Sequence, residues 1–395
     1  MYNIALSLKK HRLYSDFQVV KERLAAHQFV CWLAGGAVRD FCLNREVDEF
    51  DLVTDANTEN LKKIFPEALL VGENFGVLKI PLASGDIFDL TTFREESDYV
   101  DGRRPSHVSA ATPLKDSERR DFTVNSLFWN DVSMEILDYR GGLFDLSRSQ
   151  LICVGDPEVR FSEDYLRIMR LVRFSAQLRF DIDKATDAAA IKYCSKISKV
   201  SGERIWVELK KIERAKGWNF VFQQKLFRLL LQEIFSSVEI KLQELPELVE
   251  NIFVIFYLLN PGFDLTDLLK TRLKLSNQEL VEYTAIRFLM VQIQNFSVEE
   301  LTYEIEKWPL CMRQMSMLVQ SGLMDKTIEQ SVKNILSSYP EPLIAPKEML
   351  DLMPHRYISE EMRFLRVSQF KSNCRTKGEV VEYLKKKYAV KRENT

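Results

Sequence analysis

Leu33-Ala-Gly-Gly-Ala-Val-Arg-Asp40 is the stretch on which the fold turns. Its apolar lead, Phe29 to Ala34, reads as a short strand, and the residues from Gly36 onward as a helix carrying Arg39 and Asp40. Glycines at such a junction let the backbone come close to a phosphate, and the helix N-terminus favours an anion. Taken alone, a Gly-Gly pair after a strand is more often just a turn.

Outward from that segment, short runs with alternation or β-branched and aromatic residues mark further strands at Asp51 to Val53, Phe75 to Pro81, Ile87 to Phe93 and Glu135 to Tyr139. Helical patterns lie between them, one starting at Asn57-Thr-Glu-Asn-Leu61, so the first part of the chain is an α/β head with one sheet. Glu95 to Glu118 is polar, contains Gly102 and two prolines, and reads as a long surface loop. The acidic cluster Asp48-Glu-Phe-Asp-Leu-Val-Thr54 comes after the opening segment. On a strand, side chains two apart share a face, so Glu49 and Asp51 project together and Asp48 points to the other side. Paired carboxylates repel unless a cation lies between them, the arrangement phosphoryl transfer uses to hold Mg²⁺. Asp89, in Ile87-Phe-Asp-Leu-Thr-Thr-Phe-Arg94, is a third acid for the same site. A solvated acidic turn is the competing reading, and for the isolated cluster it is the better one.

After Pro157 the pattern is helical. Ser162 to Phe174 reads as one helix with Ser162 as N-cap, and Ser201 to Ile212 as another. Apolar-periodic blocks such as Phe220 to Phe235 and Leu301 to Leu323 come next, punctuated by Asn260-Pro-Gly and Ser337-Ser-Tyr-Pro340, before a charged tail ending Lys385-Lys-Lys-Tyr-Ala-Val-Lys-Arg392. Only 14 Gly and 12 Pro among 395 residues agree with a helix-rich chain of several domains. No uncharged apolar run reaches the roughly 18 residues that span a bilayer, so no membrane partner is expected. The N-terminus reads as an amphipathic helix and not a signal peptide. Six cysteines without a Cys-x-x-Cys pair argue against zinc or a disulfide framework and for a reducing cytoplasm. A net charge of −2 does not advertise nucleic acid, although a local basic surface stays open.

Strand, Gly-Gly, helix, acidic pair and third acid occur in the order of the DNA-polymerase-β-like nucleotidyltransferases. More narrowly, the chain resembles the class II tRNA nucleotidyltransferase and bacterial poly(A) polymerase family. The matching motifs are Gly35-Gly-Ala-Val-Arg-Asp40, Phe50-Asp-Leu-Val-Thr-Asp-Ala56, Thr91-Thr-Phe-Arg94, Arg119-Arg-Asp-Phe-Thr-Val-Asn125, Gly155-Asp-Pro157, Glu163-Asp-Tyr-Leu-Arg167 with Arg170 and Arg173, and Glu203-Arg204. Beyond residue 215 the likeness is weaker, chiefly Arg272-Leu-Lys-Leu-Ser276 and the helical Thr376 to Leu384.

The resemblance implies an α+β fold: a polymerase-β-like head with a mixed sheet over residues 1–152, then an all-helical neck (153–215), body (216–345) and tail (346–395). It implies that Gly35, Gly36 and Arg39 hold an incoming triphosphate, and that Glu49 and Asp51, with Asp89, form the Mg²⁺-binding catalytic carboxylates. Arg120, Asp121 and Asn125, with Arg119 beside them, fall in the motif for triphosphate and ribose recognition; a buried salt-bridge network is the bland reading of that motif. Asp164 and Arg167 match the pair that reads the edge of CTP or ATP, and Arg170 and Arg173 would meet phosphates. A carboxylate accepting from an exocyclic amine, beside a guanidinium donating to ring acceptors, selects C and A over U and G. The bland alternative there is a solvated helix face with a Glu163–Arg167 pair.

The implied reaction is addition of CMP and AMP to the 3′ end of tRNA from CTP and ATP, with pyrophosphate released and no stable protein partner required. Poly(A) polymerase, a CC-only or A-only enzyme, and an inactive RNA-binding homologue are the rivals. The chain departs from the family at Glu49, where aspartate is usual, and at Tyr165 in place of a frequent proline. The histidines at 11, 27, 107 and 355 form no His-Asp pair, so a phosphohydrolase extension is not expected.

Overall fold

The computed structural model describes residues 4–71, 77–99, 105–236, 251–292, 343–350 and 376–392, with isolated positions at 238 and between 352 and 368. Two compact units divide it, Met1–Ser236 and Ser237–Thr395. The first opens with helices α1 (Ile4–Lys9) and α2 (Tyr14–Ala25), then alternates strand and helix: β1 (Trp32–Ala34), α3 (Gly36–Cys42), β2 (Asp51–Thr54), α4 (Thr58–Ile64), β3 (Leu69–Val71), β4 (Val77–Pro81) and β5 (Ile87–Thr92). Asn57 caps α4 by accepting from the Asn60 N–H, as its position ahead of the helical pattern predicts. Next come β6 (Arg94–Tyr99), β7 (Pro105–Ala110), α5 (Pro113–Glu118), β8 (Leu127–Asn130), β9 (Glu135–Asp138), α6 (Gly142–Ser147) and β10 (Gln150–Leu151).

Seven strands form one mixed sheet in the order β3-β4-β5-β2-β1-β8-β9, with β2 and β5 parallel and the other neighbours antiparallel. Leu33, Leu52, Leu78, Phe88 and Leu90 are buried among the side chains of this sheet. Two of its strands escape the sequence reading. β3 is three residues long and half exposed, and the buried β8 run Leu-Phe-Trp-Asn shows no alternation.

Within the segment expected as a loop from Glu95 to Glu118, the described residues form antiparallel strands, β6 against β7, followed by α5. Neither strand carries an apolar alternation, so pattern reading cannot see the pair. Its two prolines take permitted places, Pro105 opening β7 and Pro113 in the first turn of α5 behind the N-cap Thr112.

The helical neck brings a second correction. Ser162 to Phe174 is not one helix but two, α7 (Pro157–Glu163), capped by Asp156, and α8 (Leu166–Leu178). Asp164 sits in the break with extended backbone, φ −144° and ψ 105°, and its own Oδ1 accepts the Leu166 N–H at 3.1 Å. A short carboxylate able to accept a nearby backbone N–H competes with continuing the helix. Strand β11 (Asp181–Ile182) pairs with β10, and α9 (Lys184–Tyr193), α10 (Gly202–Arg214), α11 (Trp218–Phe222) and α12 (Lys225–Ile234) complete the unit. α8 is buried nearly all round, with α10 packed along it.

In the second unit, α13 (Ile252–Leu259), α14 (Thr266–Arg272) and α15 (Asn277–Gln292) pack together, and a terminal helix Lys377–Arg392 buries Val380, Leu384 and Tyr388 against Met349, Met353 and Leu365. The expected helical block Leu301 to Leu323, the break at Ser337 to Pro340 and the Phe75-Gly76 start of a strand lie outside the described residues. Among the described residues no helix is long and apolar enough to cross a membrane.

Candidate active site

Three strand ends meet at one edge of the sheet. β1 runs into Gly35, whose N–H donates to the Leu127 carbonyl at the start of β8 (2.8 Å), while antiparallel β2 begins there with Asp51. Gly35 has φ +65° and ψ −122°, a conformation costly for any L side chain, and a Cβ on it would lie 2.9 Å from Arg120 Nη1. The turn thus demands glycine, and a larger residue would also have to displace the Arg120 guanidinium. Gly36 opens α3, whose first turn brings up Arg39.

Parallel pairing puts Asp51 of β2 in register with Asp89 of β5. Glu49 lies just ahead of β2, not within it, yet its charge reaches Asp51. Asp51 is an exposed residue at the strand end, yet loss of hydration among its neighbours first, then the negative charge of Glu49, hold its carboxyl above its ordinary value; Asp89 adds to this, while Arg120 and Arg170 oppose it. Asp89 is not loose: Lys79, its cross-strand neighbour on β4, donates to Oδ1 at 2.6 Å. Among the described residues no group of three His, Cys, Asp or Glu side chains closes into a ready cation cage. Two carboxylates on neighbouring strands nonetheless suit Mg²⁺, which keeps several waters more than it seeks an all-protein cage.

Beside the carboxylates the arginine motif forms a buried ionic lattice. Asp116, fully buried on α5, accepts from Arg119 (Nε, 2.8 Å) and from Arg120 (Nε 3.1 Å, Nη2 3.0 Å), and also from the Arg94 N–H. Burial alone would raise its pKa, but Arg120 and Arg119 pull it below the usual carboxylate range. Arg120 also donates to the Asn125 carbonyl (3.2 Å) and lies over the Phe128 ring. Asp121 accepts from Asn125 Nδ2 (3.0 Å), the Phe122 N–H (2.8 Å) and Arg170 Nε and Nη2 (2.8 and 2.5 Å). Against its burial, the Arg170 charge and these hydrogen bonds hold its carboxyl far below the ordinary value. Asn125 Oδ1 in turn accepts from Arg39 Nη1 (2.5 Å), whose other nitrogens hold Asp40. Arg39, Asn125, Asp121 and Arg170 therefore form one chain of contacts from the Gly-Gly helix to the neck.

The remaining neck residues separate. Asp164 accepts from Arg204 Nη2 on α10 (3.0 Å to Oδ2) and does not share a helix face with the arginines. Arg167 is buried, donating to Glu163 (2.6 Å) and the Arg160 carbonyl (2.7 Å). Arg173 is buried as well and pairs with Glu208 of α10 at 2.5 Å. Burial and the neighbouring charge of Arg170 draw its pKa down to about 10 despite Glu208. The sequence reading missed Asp116, Glu208 and Arg160, which hold these groups; Arg160 donates to the carbonyls of Arg119 and Arg120. For Asp116 a signal was available, since it stands three and four residues before Arg119 and Arg120 on a helical stretch.

A mixed sheet with glycine turn and acidic pair at one edge, followed by a helical neck, defines a nucleotidyltransferase-type head with a helical extension. Residues 31–152 match the family model described as the poly A polymerase head domain. Residues 179–235 match the model described as a probable RNA and SrmB-binding site of polymerase A. The CCA-adding enzyme of Lactococcus lactis subsp. lactis (strain IL1403) is 39% identical over 217 residues, 53% of this chain and 54% of that protein, so the match spans about half of that relative's length. The CCA-adding enzyme of Staphylococcus haemolyticus (strain JCSC1435) is 33% identical over 294 residues, 73% of this chain and 72% of that protein. The fold matches the crystal structure of Bacillus stearothermophilus CCA-adding enzyme in complex with CTP, at a TM-score of 0.69 and 20% identity over 98% of this chain and 100% of that one. The chain belongs to the family of the CCA-adding enzymes and the poly(A) polymerase head domain.

Proposed function

We propose that this protein completes tRNA 3′ ends, adding CMP and AMP from CTP and ATP with release of pyrophosphate. The observation that carries the reading is the registered pair Asp51 and Asp89 at the same sheet edge as Gly35-Gly36, joined through Asn125 and Asp121 to the neck. Its relatives are CCA-adding enzymes, and solved structures of the same fold were described with CTP, with ATP and with tRNA.

In this reading Gly35 and Gly36 let the triphosphate approach the N-terminus of α3, where the helix dipole favours negative charge. Glu49 and Asp51, with Asp89, are the groups that would hold Mg²⁺, and their mutual repulsion is what a cation relieves. Bound there, Mg²⁺ would activate the RNA 3′-hydroxyl and neutralise charge on the leaving pyrophosphate. The chain itself supplies position: Asn125 and the Arg39–Asp121–Arg170 chain fix the wall beside the ribose. Asp164 offers carboxylate oxygens to an exocyclic amine, held in place by Arg204 and by the Leu166 N–H. Arg167 and Arg173, with their partners Glu163 and Glu208, set the frame on which that edge is displayed.

Purified protein incubated with tRNA lacking its terminal CCA, with tRNA ending in CC, and with an unrelated RNA tests the reading. Complete CCA on the first and a single A on the second support it. Long A tails on any RNA, or no product with any, would refute it.

A further inference from the structure

The cations of the site can be accounted for one by one. Arg39 is held by Asp40 and Asn125, Arg120 by Asp116, Arg170 by Asp121, Arg173 by Glu208, and Lys79 by Asp89. A nucleoside triphosphate brings three to four negative charges, and cations already satisfied by carboxylates screen it weakly. Lys211 differs. It lies on α10 in a stripe with Arg204 and Glu208, at helical spacings of four and three, on the face that meets Asp164 and Arg173 of the neck. Its ammonium stands 3.9 Å from Glu208 Oε1, beyond hydrogen-bond distance, and among the described residues it makes no hydrogen bond. The other Glu208 oxygen is taken by Arg173. Besides Glu208, the charges that act on Lys211 are Arg173 and Arg170 of the neck and Glu49 of the head. Its side chain is 43% exposed, and partial loss of hydration with the like charges of Arg173 and Arg170 draws it below its ordinary value against the pull of Glu208 and Glu49.

We propose that Lys211 binds the triphosphate of the incoming nucleotide, meeting it from the face of α10 that carries Arg204 and Glu208. A flexible ammonium with three open donors suits a phosphate whose position changes as each nucleotide is added. The proposal rests on the nucleotide-transfer reading above.

Calorimetric titration with CTP and with cytidine, on the full chain with Mg²⁺ present, tests it. In Lys211→Ala, CTP affinity should fall about tenfold or more, the loss expected for a charge-assisted contact, while cytidine affinity and melting temperature stay unchanged. Lys211→Arg should recover most of the CTP affinity. Should the alanine variant melt early, Lys211→Gln, which keeps the stem, carries the same comparison. Wild-type protein that binds CTP, with a Lys211→Ala or Lys211→Gln affinity within twofold of it, overturns the assignment of Lys211 alone. An equal loss for CTP and cytidine also overturns it, as a structural effect. Failure of the wild-type chain to bind CTP at all overturns both this proposal and the nucleotide-transfer reading.

Discussion

Replacing Asp116 by alanine should be among the most damaging single changes in the head. The carboxylate is fully buried and is shared by two guanidinium groups, each less than one-fifth exposed. Removing one partner of a buried ion pair typically costs about 3–5 kcal/mol, because the remaining charge is stranded out of water. Here the lower end applies, since Arg119 keeps Glu96 and Arg120 keeps the Asn125 carbonyl. A loss of about 3 kcal/mol in a unit of this size corresponds to a drop of roughly 6–12 °C in melting temperature. Scanning calorimetry of the full chain, tracking the transition of the first unit, measures it. Because Arg120 lies beside Gly35, CTP binding should weaken in the same variant. The double variant Asp116→Ala/Arg120→Met should melt above the value that adding the two single losses predicts, since it strands fewer charges. A fall under about 2 °C for Asp116→Ala, or strict additivity in the double variant, would refute the account of Asp116 as the organiser of both arginines.

Gly35→Ala should cost about 1–3 kcal/mol from backbone strain alone, with added loss from the clash at Arg120, read as a lower melting temperature and weaker CTP binding. Asp51→Asn should lower the rate of nucleotide addition by at least about a hundredfold at unchanged melting temperature; Glu49→Ala retaining full activity would remove Glu49 from the metal site, and Glu49→Asp reports what the longer side chain costs. Asp164→Ala, or Arg204→Ala which lets Asp164 swing, should raise misincorporation of UTP and GTP, and unchanged discrimination would end the base-reading assignment. The Asp121 carboxyl is depressed in the folded state, so its contribution to stability is complete above the unfolded value near about 3.9 and drains away as pH falls below it. The urea midpoint should therefore fall less steeply with acidification below about pH 5 in Asp121→Asn than in the wild-type chain, and parallel curves would contradict this.

The outline of the head was legible because its signals are local. A strand running into Gly-Gly, a capped helix at Asn57, and Asp51 and Asp89 in strand-like runs each come from a few consecutive residues. The misreadings share a cause in the opposite condition. The β6–β7 pair carries no apolar alternation, and β8 is buried without one. The neck helix breaks at Asp164, whose backbone is extended and whose carboxylate accepts the Leu166 N–H, a local hydrogen-bond pattern that the spacing of Arg167, Arg170 and Arg173 does not reveal.

The residue types from which the site is built are written in short-range order: carboxylates ahead of and within a strand, a glycine turn, and guanidinium groups at motif spacing. How those groups are used is settled by tertiary packing. It commits Arg173 to Glu208 and Arg170 to Asp121, and gives Asp164 to Arg204. The physical reason is burial. Out of water each guanidinium must find a carboxylate, and the partner it finds depends on which helix packs against which, over separations of up to 49 residues that no local pattern encodes.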